Sequence, residues 1–186
     1  YGRGINSAVK PDILYPGGRS FIRDDVTKRD NAKWVISNTG KPGIQSAYPN
    51  LSRQGLGATG YTFGTSNSAA LISNKAAECY DILNDVFVSE TGENVPYDYV
   101  AVMLKAMLAH GASWSELKDD CINYLNLSGR QKKNDIHKIL GYGVADVEKV
   151  KECTKNQITL IGYGDIMQNQ AYIYSIPLPV SYTHLR

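Results

Sequence analysis

The stretch Thr62-Phe63-Gly64-Thr65-Ser66-Asn67-Ser68-Ala69-Ala70 constrains this chain more than any other. Small residues make a turn, and the turn feeds straight into a long run with helical periodicity. Gly64 lets the backbone bend without a Cβ clash. Thr65 and Ser66 are residue types that cap helix N-termini, so the pattern predicts a helix beginning at Ser66 or Asn67. From there Ala69, Leu71, Ile72, Ala76, Cys79, Ile82, Leu83, Val86 and Phe87 recur at the spacing of a helix face, carrying it to about Val88. A helix of that length covers roughly 33 Å at ~1.5 Å per residue, enough to cross a domain.

A hydroxyl in the first turn of such a helix lies where backbone N–H groups lack intrahelical acceptors and the helix dipole is positive. That position suits a serine nucleophile whose reaction develops an oxyanion. Taken alone, Gly64-Thr65-Ser66 reads as a plain helix cap, because caps are common and short motifs match by chance. Two further segments bear on it. Upstream, Gly2-Arg3-Gly4 is followed by Val9-Lys10-Pro11-Asp12-Ile13-Leu14-Tyr15-Pro16-Gly17-Gly18. Downstream stands Leu140-Gly141-Tyr142-Gly143-Val144-Ala145-Asp146-Val147. In order, these resemble the "K-P-D-I-x-x-P-G" segment, the Gly-Thr-Ser nucleophile segment and the "G-Y-G-x-x-N-V" segment of the subtilisin-like serine peptidases, the subtilases. The resemblance spans residues 1 to about 150. Subtilases commonly carry Pro four residues after the serine, and Ala70 stands there instead, which leaves the chemistry untouched.

The resemblance implies an α/β fold: the C-terminal half of a subtilisin-like domain, a mostly parallel sheet with buried helices. It would occupy residues 1–154, with the start of a C-terminal β module at 155–179. The implied reaction is peptide-bond hydrolysis through an acyl-enzyme on Ser66, with the Ser66 N–H helping to bind the oxyanion and a peptide or protein as substrate. Gly64, Thr65 and Asn67 would line the cleft as substrate-binding residues, although Asn67 equally reads as facing solvent. The family's oxyanion-hole asparagine cannot be matched to Asn6, Asn31, Asn38 or Asn50. In subtilisin-type enzymes the triad runs Asp, His, Ser. Here His110, His137 and His184 all follow Ser66, so no histidine of this chain takes the family's base position. The chain is therefore expected to be inactive alone, as a fragment of a serine endopeptidase. The alternative is a non-catalytic, subtilase-like interaction module.

Other chemistries fit less well. An α/β-hydrolase nucleophile elbow needs Gly at position 68, where Ser68 stands. Gly55, Gly57 and Gly60 suggest a phosphate-cradling loop, but the Walker pattern needs a Lys before the Ser/Thr, and Phe63 and Gly64 precede Thr65. A net charge of +2 argues for neither nucleic acid nor an anionic membrane surface. The tyrosines are scattered rather than set on a basic face. No apolar run is long enough to span a bilayer, and no signal peptide is visible. The start Tyr-Gly-Arg-Gly reads as the middle of a longer protein. Cys79, Cys121 and Cys153 form no Cys-x-x-Cys pair, and no two histidines have metal-ligand spacing, so no metal or cofactor is expected. Cys79 and Cys121 read as buried free thiols, which favours a reducing, cytoplasmic compartment.

Along the chain, Asp12 to Tyr15 reads as a loop or short strand. Residues 21–60 are polar, with Trp34-Val35-Ile36 and Ile44-Gln45-Ser46-Ala47 as the strand candidates. Arg23 to Arg29 reads as a solvated charged loop. Tyr97 to His110 is apolar nearly all round and is predicted to be a buried helix closed by Gly111. Ser113-x-x-Glu116 is a capping-box signature for a helix over about Trp114 to Leu125. Lys132 to Leu140, closed by Gly141, is another, and Asp146 caps a short one through Glu152. Ile158 to Ile161 and Ala171 to Ile176 predict a hairpin. His110 and His137 read as capping or surface residues, and Glu90, Glu93 and Asp98 as solvated. The end, Val180-Ser181-Tyr182-Thr183-His184-Leu185, resembles the translation of a transposase mosaic-end sequencing adapter, so 180–186 is expected to pack on nothing.

Overall fold

A computed structural model describes residues 2–24, 34–37, 42–49, 57–130, 132–151 and 159–175. The expectations for Arg29, Gly55, Glu152, Cys153, Ile158, Ile176 and the 180–186 tail lie outside these residues. The chain is a mixed α/β protein. It divides into two compact units, residues 15–74 on one hand and residues 1–14 with 75–186 on the other.

The 15–74 unit is built from two antiparallel hairpins and the start of a helix. Counting strands from the N-terminus, β1 (Gly2–Arg3) and β2 (Val9–Lys10) belong to the other unit. Here β3 (Phe21–Asp24) pairs with β4 (Trp34–Ser37), and β5 (Ile44–Ala47) with β6 (Thr59–Thr62). The strand candidates at Trp34 and Ile44 form as expected. Their partners β3 and β6 were not legible: β3 runs through Arg23 and Asp24, read above as loop, and β6 is Thr-Gly-Tyr-Thr, poor in apolar residues. Both gain ladder bonds from a partner strand, which a local pattern does not reveal. Every sheet among the described residues is a two-stranded antiparallel pair, and the only parallel contact is a single bridge, Leu14 to Val144.

Helix α1 (Thr65–Thr91) starts one residue earlier and ends three later than the pattern predicts. The cap is Gly64, whose carbonyl accepts from the N–H groups of Asn67 and Ser68, and Thr65 and Ser66 are already helical. Beyond Asn74, α1 joins α2 (Tyr97–His110) in the core of the second unit, where Cys79, Leu83, Val95, Met103, Met107, Val147 and Val150 are buried together. Burial pushes the Cys79 thiol above its ordinary pKa, as for an inert thiol. Cys121 is only partly buried, against expectation. So is α2: Met103 and Met107 face inward, but Tyr97 and Val102 are 91% and 67% exposed. Its apolar residues outnumber the positions that one neighbouring face can cover.

The remaining helices are short. Gly111 does end α2, but in right-handed conformation, and a Cβ there would overlap the Asp146 carbonyl, so close approach explains the glycine. The capping box at Ser113 does not form. The Ser113 backbone instead exchanges both bonds with Val144 (3.0 and 2.9 Å), Ser115 takes φ 42°, and α3 (Leu117–Tyr124) starts late. The next helix, α4 (Lys132–Leu140), forms as read and is closed by Gly141 at φ 59°. Asp146 accepts from the Glu148 N–H at 3.2 Å ahead of α5 (Glu148–Lys151). No strand forms in the described part of the expected hairpin, residues 159–161 and 171–175. That stretch contributes aromatic contacts instead: Tyr163 packs on Phe87 and Tyr99 at 5.4 and 4.9 Å, and the Tyr99 hydroxyl donates to Asp165.

Candidate active site

The nucleophile candidate sits in the 15–74 unit, where β6 turns into α1. Ser66 is the second residue of α1, in its first turn, and is exposed to solvent. Geometry leaves the N–H groups of Thr65 and Ser66 without intrahelical acceptors, so the turn presents donors beside the serine hydroxyl. Gly64 adopts φ 140° with open space where a Cβ would be, so it is the backbone angle that demands glycine here. Thr65 is exposed like Ser66.

Behind the turn lies the Pro16-Gly17-Gly18 segment. The Gly64 N–H donates to the Gly17 carbonyl at 2.9 Å. A Cβ on Gly17 would overlap both the Gly64 carbonyl and Ser68 Oγ, and a Cβ on Gly18 would crowd the Thr62 carbonyl at 2.8 Å. Asn67 is half-buried and does not face solvent. Its Nδ2 donates to the Gly17 carbonyl at 3.2 Å and to Thr62 Oγ1 at 3.0 Å, and Thr62 Oγ1 lies 3.2 Å from Ser46 Oγ. Asn67 thus ties three chain segments together from the inner side of the turn. A short amide three residues into a helix can reach back to the preceding strand, and this was the available signal.

One expectation is corrected here: Ala69 and Ala70 do not pack under the serine, since both are exposed. Asn67 supports the turn, its amide committed to the Gly17 carbonyl and Thr62 Oγ1. Among the described residues, no hydrogen bond engages the Ser66 hydroxyl. His110 and His137 belong to the other unit, where His137 packs edge-on against Tyr142 at 5.4 Å. No group of three or more His, Cys, Asp or Glu residues among the described ones could hold a metal, and no described helix is long and apolar enough to cross a membrane.

The downstream segment singled out in the sequence also has a definite place. In the second unit the Leu14 N–H donates to the Gly143 carbonyl (2.8 Å), the Ala145 N–H to the Leu14 carbonyl (3.0 Å) and the Tyr142 N–H to the Asp12 carbonyl (2.8 Å). The Pro11–Leu14 stretch is therefore knitted to Gly141–Ala145, while Gly17 is knitted to Gly64, each within its own unit. No family model matches this sequence, and no significant match was found among curated proteins or solved structures.

Proposed function

We propose that this chain carries the nucleophile segment of a subtilisin-like serine endopeptidase, with Ser66 as the residue acylated by a peptide substrate. The observation that carries the reading is the exposed Ser66 hydroxyl in the first turn of a long helix, beside free N–H donors, behind a turn held by Gly17 and Asn67. Ser66 Oγ attacks the scissile carbonyl, and the Ser66 N–H binds the oxyanion. Gly64 and Thr65, open on the outer side of the turn, border the substrate. Such a domain's triad also needs a histidine ahead of the serine, and no histidine precedes Ser66 in these 186 residues. Without that histidine the serine has no general base and stays a weak nucleophile.

A fluorophosphonate probe tests this. The 186-residue chain is expected to stay unlabelled, and a reading frame extended upstream to label at Ser66. Labelling of the chain alone at Ser66 would place the base within it and overturn the assumed triad order. The second reading, an interaction module, is favoured by the apolar side chains exposed on α1 and α2, among them Val86 at 50% and Val102 at 67%. An extended frame that lacks the aspartate and histidine segments, and stays unlabelled, would select it.

A further inference from the structure

The second unit holds a cavity of about 480 Å³, lined by Trp114, Lys118, Arg130, Lys132, Lys133 and Ile136 together with Gly129. Its residues come from the loop before α3, from α3, from the loop before α4 and from α4. Four cations therefore face one space, and no acidic residue among the described ones lines it. The rest of the unit treats its lysines differently. Lys10, Lys75, Lys105, Lys138, Lys149 and Lys151 each meet a carboxylate. The three other lysines with described side chains, Lys118, Lys132 and Lys133, all line the cavity, and none forms an ion pair among the described residues. Of the carboxylates near these cations in sequence, Asp135 is committed to Lys138 at 2.8 Å, and the exposed Glu116, Asp119 and Asp120 beside Lys118 are not among the lining residues. Like charges converging without counter-charges repel one another, and a bound anion relieves that repulsion.

We propose that this cavity binds a phosphorylated small molecule, with its phosphoryl groups on Arg130, Lys118, Lys132 and Lys133 and an apolar or planar portion against Trp114 and Ile136. Arginine's planar fork suits bidentate contact with phosphate, and lysines supply adaptable point charge. The Trp114 indole N–H is already spent on the Gly141 carbonyl at 2.9 Å, so the ring offers apolar surface only. The volume lies within the range of small-molecule pockets. The overall charge of +2 gives no broad basic face for a long polyanion. The proposal is independent of the role of Ser66.

Isothermal titration with pyrophosphate, and then with a nucleoside diphosphate, tests it on the intact chain. Both are expected to bind, the nucleoside diphosphate at least several-fold more tightly because it also covers Trp114. The double variant R130Q/K133Q is expected to lose at least tenfold in affinity, while K105Q, outside the cavity, stays within twofold. Arg130 and Lys133 are exposed, so unchanged circular dichroism is expected for the variant. Absence of pyrophosphate binding, or equal loss in K105Q, would overturn the site. A single-stranded oligonucleotide binding more tightly than the nucleoside diphosphate, with the same R130Q/K133Q loss, would overturn the small-molecule assignment.

Discussion

The two units hold themselves together by different means. Every buried side chain of the described residues, from Cys79 and Leu83 to Ile136 and Val150, belongs to the helical unit. The described residues of the 15–74 unit include none: its described strand positions are half-buried at best, and Phe21, Ile22 and Ile36 are more than half exposed. It relies on two antiparallel ladders, on backbone approaching backbone at Gly17, Gly18 and Gly43, and on the polar links of Asn67, Thr62 and Ser46. One unit is stabilised by removing apolar surface from water, the other by hydrogen bonds and by the absence of side chains at contact points. The candidate nucleophile sits on the second kind of scaffold, where precision depends on glycine and amide positions rather than on packing volume.

The contrast predicts which substitutions hurt most. The largest effect is expected from Met103→Ala, which opens a cavity at a side chain only 2% exposed and costs about 3 kcal/mol. Denaturant titration followed by helical circular dichroism measures it. A loss well under 1 kcal/mol would mean that the helical core is too loosely packed to sustain the contrast. Gly17→Ala comes next, at about 2 kcal/mol, because the new methyl overlaps the Gly64 carbonyl and Ser68 Oγ. The loss is expected to be local: amide hydrogen exchange accelerates in β5 and β6 while the α2 amides stay protected. Equal acceleration in both units would dissolve the distinction between them. Asn67→Ala removes the bonds to Gly17 and Thr62 and is expected to cost about 1 kcal/mol, again read in β5–β6 exchange. A Thr62→Val change on top of it is expected to add less than it costs alone, since the two share a bond.

What the sequence revealed follows the same division. Helix existence was readable because the unit that buries apolar side chains writes that burial into periodicity: Tyr97–His110 and Lys132–Leu140 form at the expected bounds. β3 and β6 were not readable, because their stability lies in ladder bonds to a partner, and Thr59-Gly60-Tyr61-Thr62 announces nothing by itself. The capping box at Ser113 failed for a related reason, as a long-range bridge to Val144 outcompeted a local cap. At the candidate site, the turn and Ser66 were legible from residue type. The backing by Gly17, fifty residues from Asn67, was not, since no local pattern encodes which carbonyl an amide will reach. Of the cations of the α3–α4 cavity, Arg130, Lys132 and Lys133 lie together in sequence, and it is the fold that sets Lys118 and Trp114 beside them.

The smallest expected effect concerns charge within the helical unit. Glu78 lies between Lys151 and Lys75: its hydrogen bond to Lys151, then that to Lys75, holds its carboxyl below the ordinary glutamate pKa. A depressed folded-state pKa contributes stability above the unfolded value, and that contribution fades as pH falls through the folded value. The link is therefore expected to be intact at neutral pH and lost in acid, below the ordinary value of 4.5. The carboxylate is partly exposed, so solvent and salt screen the interaction, and it stays the least of the four. Comparing the melting temperatures of the natural chain and Glu78→Gln isolates it. The gap between them is expected to be present at pH 7, to narrow as pH falls below 4.5, and to shrink at pH 7 when salt is raised. A gap that persists unchanged in acid would mean that Glu78 acts by packing its methylenes against the core rather than by its charge. The helical unit would then depend on apolar contact even at its surface ion pairs, and the contrast with the hydrogen-bonded unit would be sharper than drawn here.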